Sequence, residues 1–232
     1  MEKQKYAAIV LAAGSGKRMN SQVHKQYLII QDRPVLYYSL KAFEDSAVDE
    51  IVLVVGKGEE EFCRKEIVDK YGISKVKAIV EGGKERYHSV FEGLKQTSDA
   101  DYVLIHDGAR PFVNQDIIRR CMQEVQKYQA CVVGMPVKDT IKIADEEGYA
   151  KQTPDRKNVW LIQTPQTFSY ALIYEAYEEM LKTEDTAITD DAMVLERIKG
   201  KKSKLIEGSY RNIKITTPED LRIANDYLQH PE

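Results

Sequence analysis

YAAIVLAAGSGKRM, residues 6–19, begins as an apolar run and ends as a small, glycine-rich and basic loop. Gly14 and Gly16 allow a tight turn and a close approach of the backbone to a ligand. Lys17 and Arg18 add two positive charges directly after them. An apolar strand followed by such a loop is typical of α/β proteins that bind phosphate, so the stretch predicts an anion site after the first strand.

The rest of the chain alternates short apolar runs with amphipathic segments. Its valine, isoleucine, alanine and tyrosine content predicts strands at 6–11, 51–55, 76–80, 102–105 and 130–135. Apolar residues spaced by three and four predict helices between them, over 35–43, 59–70, 85–95 and 115–128. This order favours an α/β fold with a doubly wound, mostly parallel sheet, similar to a Rossmann fold.

The alternation breaks between residues 136 and 160, where no segment is long enough for a helix that crosses a sheet. Two strand-like pieces flank a turn at 145–148, which predicts a protruding β-arm. After the arm we expect helices near 169–181, 190–198 and 218–228, and strands near 203–206 and 211–215. Since no linker or repeat divides the chain, we interpret residues 1–232 as one domain with an arm at about 136–160.

Composition excludes several classes of protein. The formal net charge of -3 gives no bulk attraction for nucleic acid or for an anionic membrane, so an anion site must be local. No apolar run approaches the roughly 20 residues that a bilayer requires, and the N-terminus does not have the pattern of a signal peptide, which favours a cytoplasmic protein. Cys63, Cys121 and Cys131 form no CxxC pair, and we expect free buried thiols.

The basic loop does not fit the two commonest phosphate-binding motifs. A Walker A loop requires a longer spacing between its glycines and a Ser or Thr after the lysine, and the dinucleotide fingerprint requires glycine where Met19 stands. The loop is followed by HKQY at 24–27, so that Lys17, Arg18 and Lys25 form a spread of cations. Such a spread suits a triphosphate whose charge grows during transfer, although a solvated basic turn would show the same pattern.

The motifs resemble those of a known enzyme family. LAAGSGKRM with the later KQY is similar to the opening of sugar-nucleotide pyrophosphorylases and related nucleotidyltransferases. More narrowly, the chain resembles the 2-C-methyl-D-erythritol 4-phosphate cytidylyltransferases in motifs that run in family order from residue 6 to about 225. They are GGKERYHSV at 82–90, HDGARPF at 106–112, PVKDTIK at 136–142, QTPQTF at 163–168, TDDA at 189–192 and NIKITTPEDL at 212–221.

The resemblance implies an activity and its partners. A cytidylyl group would pass from CTP to the sugar-alcohol phosphate 2-C-methyl-D-erythritol 4-phosphate, and pyrophosphate would leave. Mg²⁺ would be held mainly by the CTP phosphates and water, with no metal ligand from the protein. The family is also expected to form homodimers in which each arm reaches the neighbouring active site.

The resemblance also implies site residues. The expected catalytic residues are Arg18, Lys25, Arg156 and Lys214. The residues expected to bind CTP are Ala12, Ala13, Gly14, Gly16, Lys17, Gly83, Ser89 and Asp107. Those expected to bind the sugar phosphate are Asp107, Arg110, Thr140, Arg156, Thr164, Thr189 and Lys214, with Thr140 and Arg156 coming from the partner chain.

Several of these residues have simpler explanations that the sequence leaves open. Asp107 follows a predicted strand, where open sheets bind ligands, but an aspartate before glycine also forms turns. Thr189 and Asp190 fit a helix N-cap equally well, and Ser89 fits a helix surface. Two positions depart from the family pattern, because His24 stands where relatives commonly have proline and Lys84 where many have aspartate.

Two other functions remain open at this point. A ribitol 5-phosphate cytidylyltransferase would share the glycine-rich loop, the TPQ motif and the NIKIT region. A regulator that binds CTP without reacting it would keep the fold, but it would not require the set of cations described above. A nucleic-acid-binding module is disfavoured by the acidic charge and the absence of a basic stripe with stacking aromatic residues.

Overall fold

The computed structural model of the chain describes residues 3–14, 23–183 and 187–230. Its strands, in chain order, are β1 (Tyr6–Ala12), β2 (Ile29–Ile30), β3 (Arg33–Pro34), β4 (Glu50–Val55), β5 (Val76–Glu81), β6 (Tyr102–Asp107), β7 (Ala130–Pro136), β8 (Ile143–Ala144), β9 (Ala150–Gln152), β10 (Trp160–Ser169) and β11 (Lys204–Glu207). Within the described residues, seven of them form the central sheet, in the order β11-β7-β10-β6-β1-β4-β5. The predicted α/β sheet is confirmed.

The first strand lies in the middle of this sheet. It pairs in parallel with β4 on one side and with β6 on the other. Both of its faces are covered, so its side chains are buried with no alternation between apolar and polar residues. Because β1 is a central strand, the glycine-rich loop after it begins at the edge of the sheet where the carboxyl ends of the parallel strands lie.

Strand β10 is antiparallel to both of its neighbours, β6 and β7. The sequence did not predict this strand, because its central residues, QTPQT, are polar and include a proline. Its pairing with β7 shifts register between Ile162 and Gln166, so Pro165 lies at the irregularity and not within a regular ladder. The sheet is therefore mixed, with an antiparallel strand inserted between parallel ones.

The helices cover both faces of the sheet. They are α1 (Val35–Glu44), α2 (Glu60–Cys63), which continues as a π-helical segment Arg64–Asp69, α3 (Arg86–Leu94), α4 (Gln115–Tyr128), α5 (Tyr170–Met180), α6 (Asp191–Lys199) and α7 (Pro218–Gln229). Helices α1, α2 and α4 pack on one face, against alternate residues of β1 such as Ala8 and Val10. Helices α3, α5 and α6 pack on the other face, against Ala7 and Ile9. The predicted doubly wound arrangement is confirmed.

The segment at 211–215 is not a strand, which corrects the sequence-based expectation. The backbone N–H of Ile215 donates to the carbonyl of Ala109 at 2.8 Å, in a contact between loops. Ile215 and Ala224 of α7 are buried in a small separate cluster with Ile30 and Val35. The apolar character of this segment therefore reflects packing under α7 and not a place in the sheet.

The β-arm is present where the sequence predicts it. Strands β8 and β9 pair antiparallel around a turn, in which Gly148 has a φ of 89° and donates to the carbonyl of Asp145 at 3.2 Å. Cys63, Cys121 and Cys131 are buried free thiols, as predicted. Among the described helices, none has the length and apolarity that a membrane crossing would require.

Candidate active site

A cavity of about 430 Å³ lies at the carboxyl ends of β1 and β6, beside the first turn of α3. Its lining residues are Leu11, Ala12, Ala13, Gly14, Lys25, Gln26, Gly83, Lys84, Glu85, Arg86, Ser89, Asp107, Ala109 and Lys214. The structure thus brings together many of the predicted site residues. Gly16, Lys17 and Arg18 lie outside the described residues.

One wall of the cavity includes Gly83, which with Gly82 forms a glycine pair that brings backbone close to β1 and α3. A Cβ atom on Gly82 would lie 2.6 Å from both the Cβ of Ala13 and the Oγ of Ser89, so only glycine fits between β1 and α3 here. The N–H of Gly83 donates to the hydroxyl of Ser89 at 3.1 Å. Ser89 is buried, which excludes the alternative of an exposed helix serine. Its hydroxyl holds the Gly83 backbone in place where the loop faces the cavity.

Asp107, at the end of β6, is the electrostatic centre of the cavity. Its carboxylate lies 2.7 Å from Nζ of Lys214, 3.3 Å from Nε of Arg86 and 3.8 Å from Nε of Arg110. Burial by itself would raise the pKa of this carboxyl group, but the neighbouring cations hold that pKa well below its usual range. Asp107 is therefore ionised, and it gathers positive charge on the cavity wall.

Arg86 connects the cavity to a buried acid that sequence reasoning missed. Its guanidinium forms a bidentate pair with Asp191, with both N–H···O distances at 2.8 Å, and Asp191 also accepts from the hydroxyl of Tyr177 at 2.6 Å. Burial alone would lower the pKa of Arg86, but the negative charges of Asp191 and Asp107 raise that pKa well above its usual value, so the guanidinium stays charged. The sequence signal for this acid is the TDDA motif, in which the second aspartate, Asp191, directly follows the N-cap residue Asp190 and is buried.

A second layer of polar residues supports Asp107 from below. The N–H of Asp107 donates to the Thr164 hydroxyl at 3.1 Å, and this hydroxyl lies 3.0 Å from Nδ1 of His106. Nε2 of His106 lies 3.2 Å from the carbonyl of Arg110, so the Nε2–H tautomer satisfies both contacts. Burial lowers the pKa of His106 to about 4, which keeps the ring neutral. Thr164 is buried beneath the cavity and does not line it.

Arg110 also lies behind the wall of the cavity. Its guanidinium donates to the carbonyl of Asn212 at 2.8 Å and reaches that of Ile162 at 3.4 Å. The side chain of Asn212 in turn donates to Gln163 and to the carbonyl of Thr164. Arg110 therefore ties the end of β6 to β10 and to the segment that carries Lys214. Its predicted contact with the sugar phosphate stays a prediction.

The remaining predicted residues are not at the cavity. Thr140 and Arg156 lie on the arm and are exposed, and Arg156 donates to the carbonyl of Lys138 at 3.2 Å. Thr189 is also exposed, and its hydroxyl lies 3.9 Å from the sulfur of Met193. Asp190 is the N-cap of α6, because its carboxylate accepts from the N–H of Met193 at 2.9 Å.

Acidification is expected to destabilise the fold through His106. The pKa of a histidine in the unfolded chain is about 6.5, whereas the pKa of His106 in the folded protein is about 4. The unfolded state therefore binds the proton first, and stability that is present above the unfolded pKa is lost as the pH falls toward 4, by roughly 3 kcal/mol.

Urea unfolding at a series of pH values measures this loss. The His106→Asn variant should show a shallower dependence on pH than the wild type over that window. The variant His230→Asn, which changes an exposed histidine, should keep the wild-type slope. Equal slopes for wild type and His106→Asn would contradict the role given to burial.

Comparison with known proteins identifies the family of this chain. The family model for 2-C-methyl-D-erythritol 4-phosphate cytidylyltransferase (IspD) matches residues 6–230. A relative of that name from Lachnospira eligens is 54% identical over 224 residues, covering 96% of this chain and 98% of the relative. One from Lachnoclostridium phytofermentans is 50% identical over 226 residues, covering 97% of each. A crystal structure of 4-diphosphocytidyl-2C-methyl-D-erythritol synthase from Anaerococcus prevotii has a TM-score of 0.86 at 38% identity, covering 98% of this chain and 97% of that one. These matches confirm the resemblance found in the motifs, and the chain belongs to the 2-C-methyl-D-erythritol 4-phosphate cytidylyltransferase family.

Proposed function

We propose that this chain transfers the cytidylyl group of CTP to 2-C-methyl-D-erythritol 4-phosphate, which yields 4-diphosphocytidyl-2-C-methyl-D-erythritol and pyrophosphate. The observation that carries the proposal is the cavity itself. In a chain that matches the family over 6–230, it is lined by Lys25, Arg86 and Lys214, and the last two contact the buried carboxylate of Asp107 at the carboxyl edge of the sheet. Membership of this family supports a place for the reaction in the synthesis of isoprenoid precursors.

The reaction joins two anions, and the cations of the cavity offset their repulsion. A phosphate oxygen of the sugar phosphate attacks the α-phosphorus of CTP, the new P–O bond forms, and the bond to the β-phosphate oxygen breaks so that pyrophosphate leaves. Lys25 and Lys214 line the cavity and stabilise the growing charge on the phosphoryl oxygens. We assign the same role to Arg18, with Lys17 as a supporting cation. No protein nucleophile is required, because the substrate carries its own.

The backbone at Ala12, Ala13, Gly14 and Gly83 is proposed to bind the nucleotide. These residues line the cavity, where backbone N–H and C=O groups can pair with the edge of a cytosine ring; the N–H of Gly83 and the carbonyl of Ala12 already pair with Ser89 and Gln26. Ser89 supports this reading surface through its bond to Gly83. Asp107 is proposed to accept from a ribose or substrate hydroxyl while it keeps Lys214 in place.

Mg²⁺ is proposed to enter with CTP. Asp107, the buried carboxylate of the cavity, already contacts Arg86 and Lys214, so it is poorly suited to direct coordination of a metal. Among the described residues, no group of three or more His, Cys, Asp or Glu side chains could hold a metal ion. This donor set fits an ion held by phosphate oxygens and water, whose charge would further neutralise the triphosphate.

The arm is proposed to complete the active site of a second copy of the chain. Thr140 and Arg156 are exposed on it, together with large apolar side chains at Ile143, Tyr149 and Leu161. A closed two-fold dimer that exchanges arms would cover these apolar groups and bring Arg156 to the sugar phosphate. We therefore propose a single domain, 1–232, with a dimerisation arm at about 136–160. Because CTP is a cytoplasmic metabolite, we also propose that the enzyme acts in the cytoplasm.

Loss of Arg156 should affect the two substrates unequally. The Arg156→Ala variant is expected to raise the KM for the sugar phosphate with a smaller effect on the KM for CTP, since the arm contributes to one subsite. Co-expressing Arg156→Ala chains with Lys25→Ala chains tests whether the site is shared between copies. Each mixed dimer has one intact site, so about a quarter of wild-type activity should return. Activity no greater than that of the two variants alone would contradict arm exchange.

Pyrophosphate release tests the proposed reaction directly. The protein is incubated with CTP and Mg²⁺ and with either 2-C-methyl-D-erythritol 4-phosphate or ribitol 5-phosphate, and release is compared. Turnover with the first substrate alone supports the proposal, and preference for ribitol 5-phosphate would replace it with the alternative transferase. CTP binding by calorimetry with no release from either substrate would identify a regulator.

A further inference from the structure

The turn that carries Lys25 has little stability of its own. Residues Lys25–Tyr27 form a single 3-10 turn, with backbone bonds from Tyr27 to His24 at 2.9 Å and from Leu28 to Lys25 at 3.3 Å. Such a short helix is not stable by itself, so side-chain contacts must hold it. The position of Lys25 therefore depends in part on the contacts of the residues around it.

Residues on both sides of Lys25 contact one carboxylate, that of Glu59. The hydroxyl of Tyr27 donates to its Oε2 at 2.7 Å, whereas Nδ1 of His24 lies 2.7 Å from its Oε1 without the geometry of a hydrogen bond. The ring of Tyr27 also packs edge-on against Phe62, with the ring centroids 5.1 Å apart. Glu59 thus bridges the residue before Lys25 and the residue two positions after it.

Glu59 itself is held firmly at the end of β4. Its Oε2 accepts from the N–H of Gly56 at 3.0 Å. A Cβ on Gly56 would lie 2.7 Å from that oxygen, so the chain has no side chain at the one place where the carboxylate sits against the backbone. The Glu59 side chain is 19% exposed, and this hydrogen bond and packing hold its carboxylate against the end of β4.

Two other titratable groups lie beside the Glu59 carboxylate, the Cys63 thiol and the Tyr27 hydroxyl, and neither adds a negative charge to it. Burial raises the pKa of the Cys63 thiol to about 11, and burial together with Cys63 raises that of the Tyr27 hydroxyl. Both groups are neutral near pH 7. The middle residue of the turn, Gln26, is buried and donates to the carbonyl of Ala12, which attaches the turn to β1 as well.

We propose that Glu59 is a positioning residue for Lys25, and that it fixes the turn through the hydrogen bond from Tyr27 and its close contact with His24, on either side of the lysine. The inference rests on the proposed role of Lys25 at the triphosphate. The φ of His24 is -60°, the value that proline adopts, so the contact of its side chain with Glu59 restrains a backbone angle that a proline ring would fix directly.

A double-mutant cycle between Glu59 and Lys25 tests the proposal. Because a displaced catalytic group loses much of its effect, Glu59→Ala and the isosteric Glu59→Gln should lower kcat by roughly 10- to 100-fold while the KM for the sugar phosphate stays near the wild-type value. In the Lys25→Ala background the same changes should lower kcat less than about twofold, because the group they position is gone. Glu60→Gln removes a neighbouring carboxylate of α2 and should leave kcat unchanged.

A rescue experiment separates positioning from a general structural defect. The double variant His24→Pro, Glu59→Gln should recover part of the activity lost in Glu59→Gln, since proline restrains the same backbone angle. An equal loss of kcat from Glu59→Gln in the wild-type and Lys25→Ala backgrounds would overturn the proposal. If Lys25→Ala itself retains wild-type activity, the proposed function of the cavity fails instead, and the two failures are thereby distinguished.

Discussion

Replacing Lys25 by alanine is expected to reduce kcat by roughly 10²–10³, which corresponds to the loss of one charge contact in the transition state. Lys25 lines the cavity on a turn anchored by Gln26 and Tyr27. Steady-state kinetics with saturating CTP and sugar phosphate measure the loss. Because the contact strengthens as negative charge develops on the phosphoryl oxygens, most of the loss should appear in kcat and less in the KM for CTP.

The matched control for this variant is Lys57→Ala, which removes a positive charge from an exposed position after β4. It should leave kcat within about twofold of wild type, because exposed charges outside the site are screened by solvent. Arg18→Ala should resemble Lys25→Ala. Turnover of Lys25→Ala within a few-fold of wild type would remove the basis for assigning phosphoryl stabilisation to this cavity.

Replacing Asp191 by alanine is expected to lower the free energy of unfolding by about 3 kcal/mol, the lower end of the range for breaking a buried ion pair. The substitution leaves the guanidinium of Arg86 and the hydroxyl of Tyr177 without their partner. Asp191 is fully buried, whereas Arg86 keeps 30% of its side chain exposed toward the cavity, which limits the loss. Urea unfolding monitored by circular dichroism measures the change.

The adjacent aspartate is the natural control. Asp190 caps α6 and accepts from Gln166 at 3.0 Å, so Asp190→Ala should lower the free energy of unfolding by about 1 kcal/mol, as the loss of an N-cap does. A larger loss for Asp190→Ala than for Asp191→Ala would contradict the assignment of the buried pair. CTP affinity should fall in Asp191→Ala as well, because Arg86 also holds Asp107.

The central strands that run in one direction were predictable because they are buried on both faces. Such strands are rich in apolar runs, and β1, β4, β6 and β7 show this pattern, whereas β5 lies at the edge of the sheet and is only partly buried. Strand β10 is also buried, but four of its central side chains are polar. Gln166 pairs with the N–H of Ala192, and Thr164 pairs with His106 and Asp107. Those partners are far away in the chain, so no local pattern could show that these polar residues lie inside a sheet.

The candidate site was predicted in the same uneven way. The structure brings Lys25, Asp107 and Lys214, each from a different motif, together at one cavity with Gly14 and Gly83. The roles of these residues stay predictions. Arg86 and Asp191 were missed because their function depends on a contact between residues 105 positions apart. The segment at 211–215 shows the opposite error, since isoleucines that pack under a helix have the same composition as isoleucines in a strand.

The antiparallel strand β10 has a consequence for synthesis on the ribosome. It lies between β6 and β7, yet its residues, Trp160–Ser169, leave the ribosome after both of them and after the whole arm. Until then the outer edge of β6 has no partner in the growing polypeptide, and an unpaired apolar edge is a template for association with other chains. A nascent chain that stalls before β10 has left the ribosome is therefore expected to bind chaperones or to aggregate, and the emergence of that strand should end the exposure.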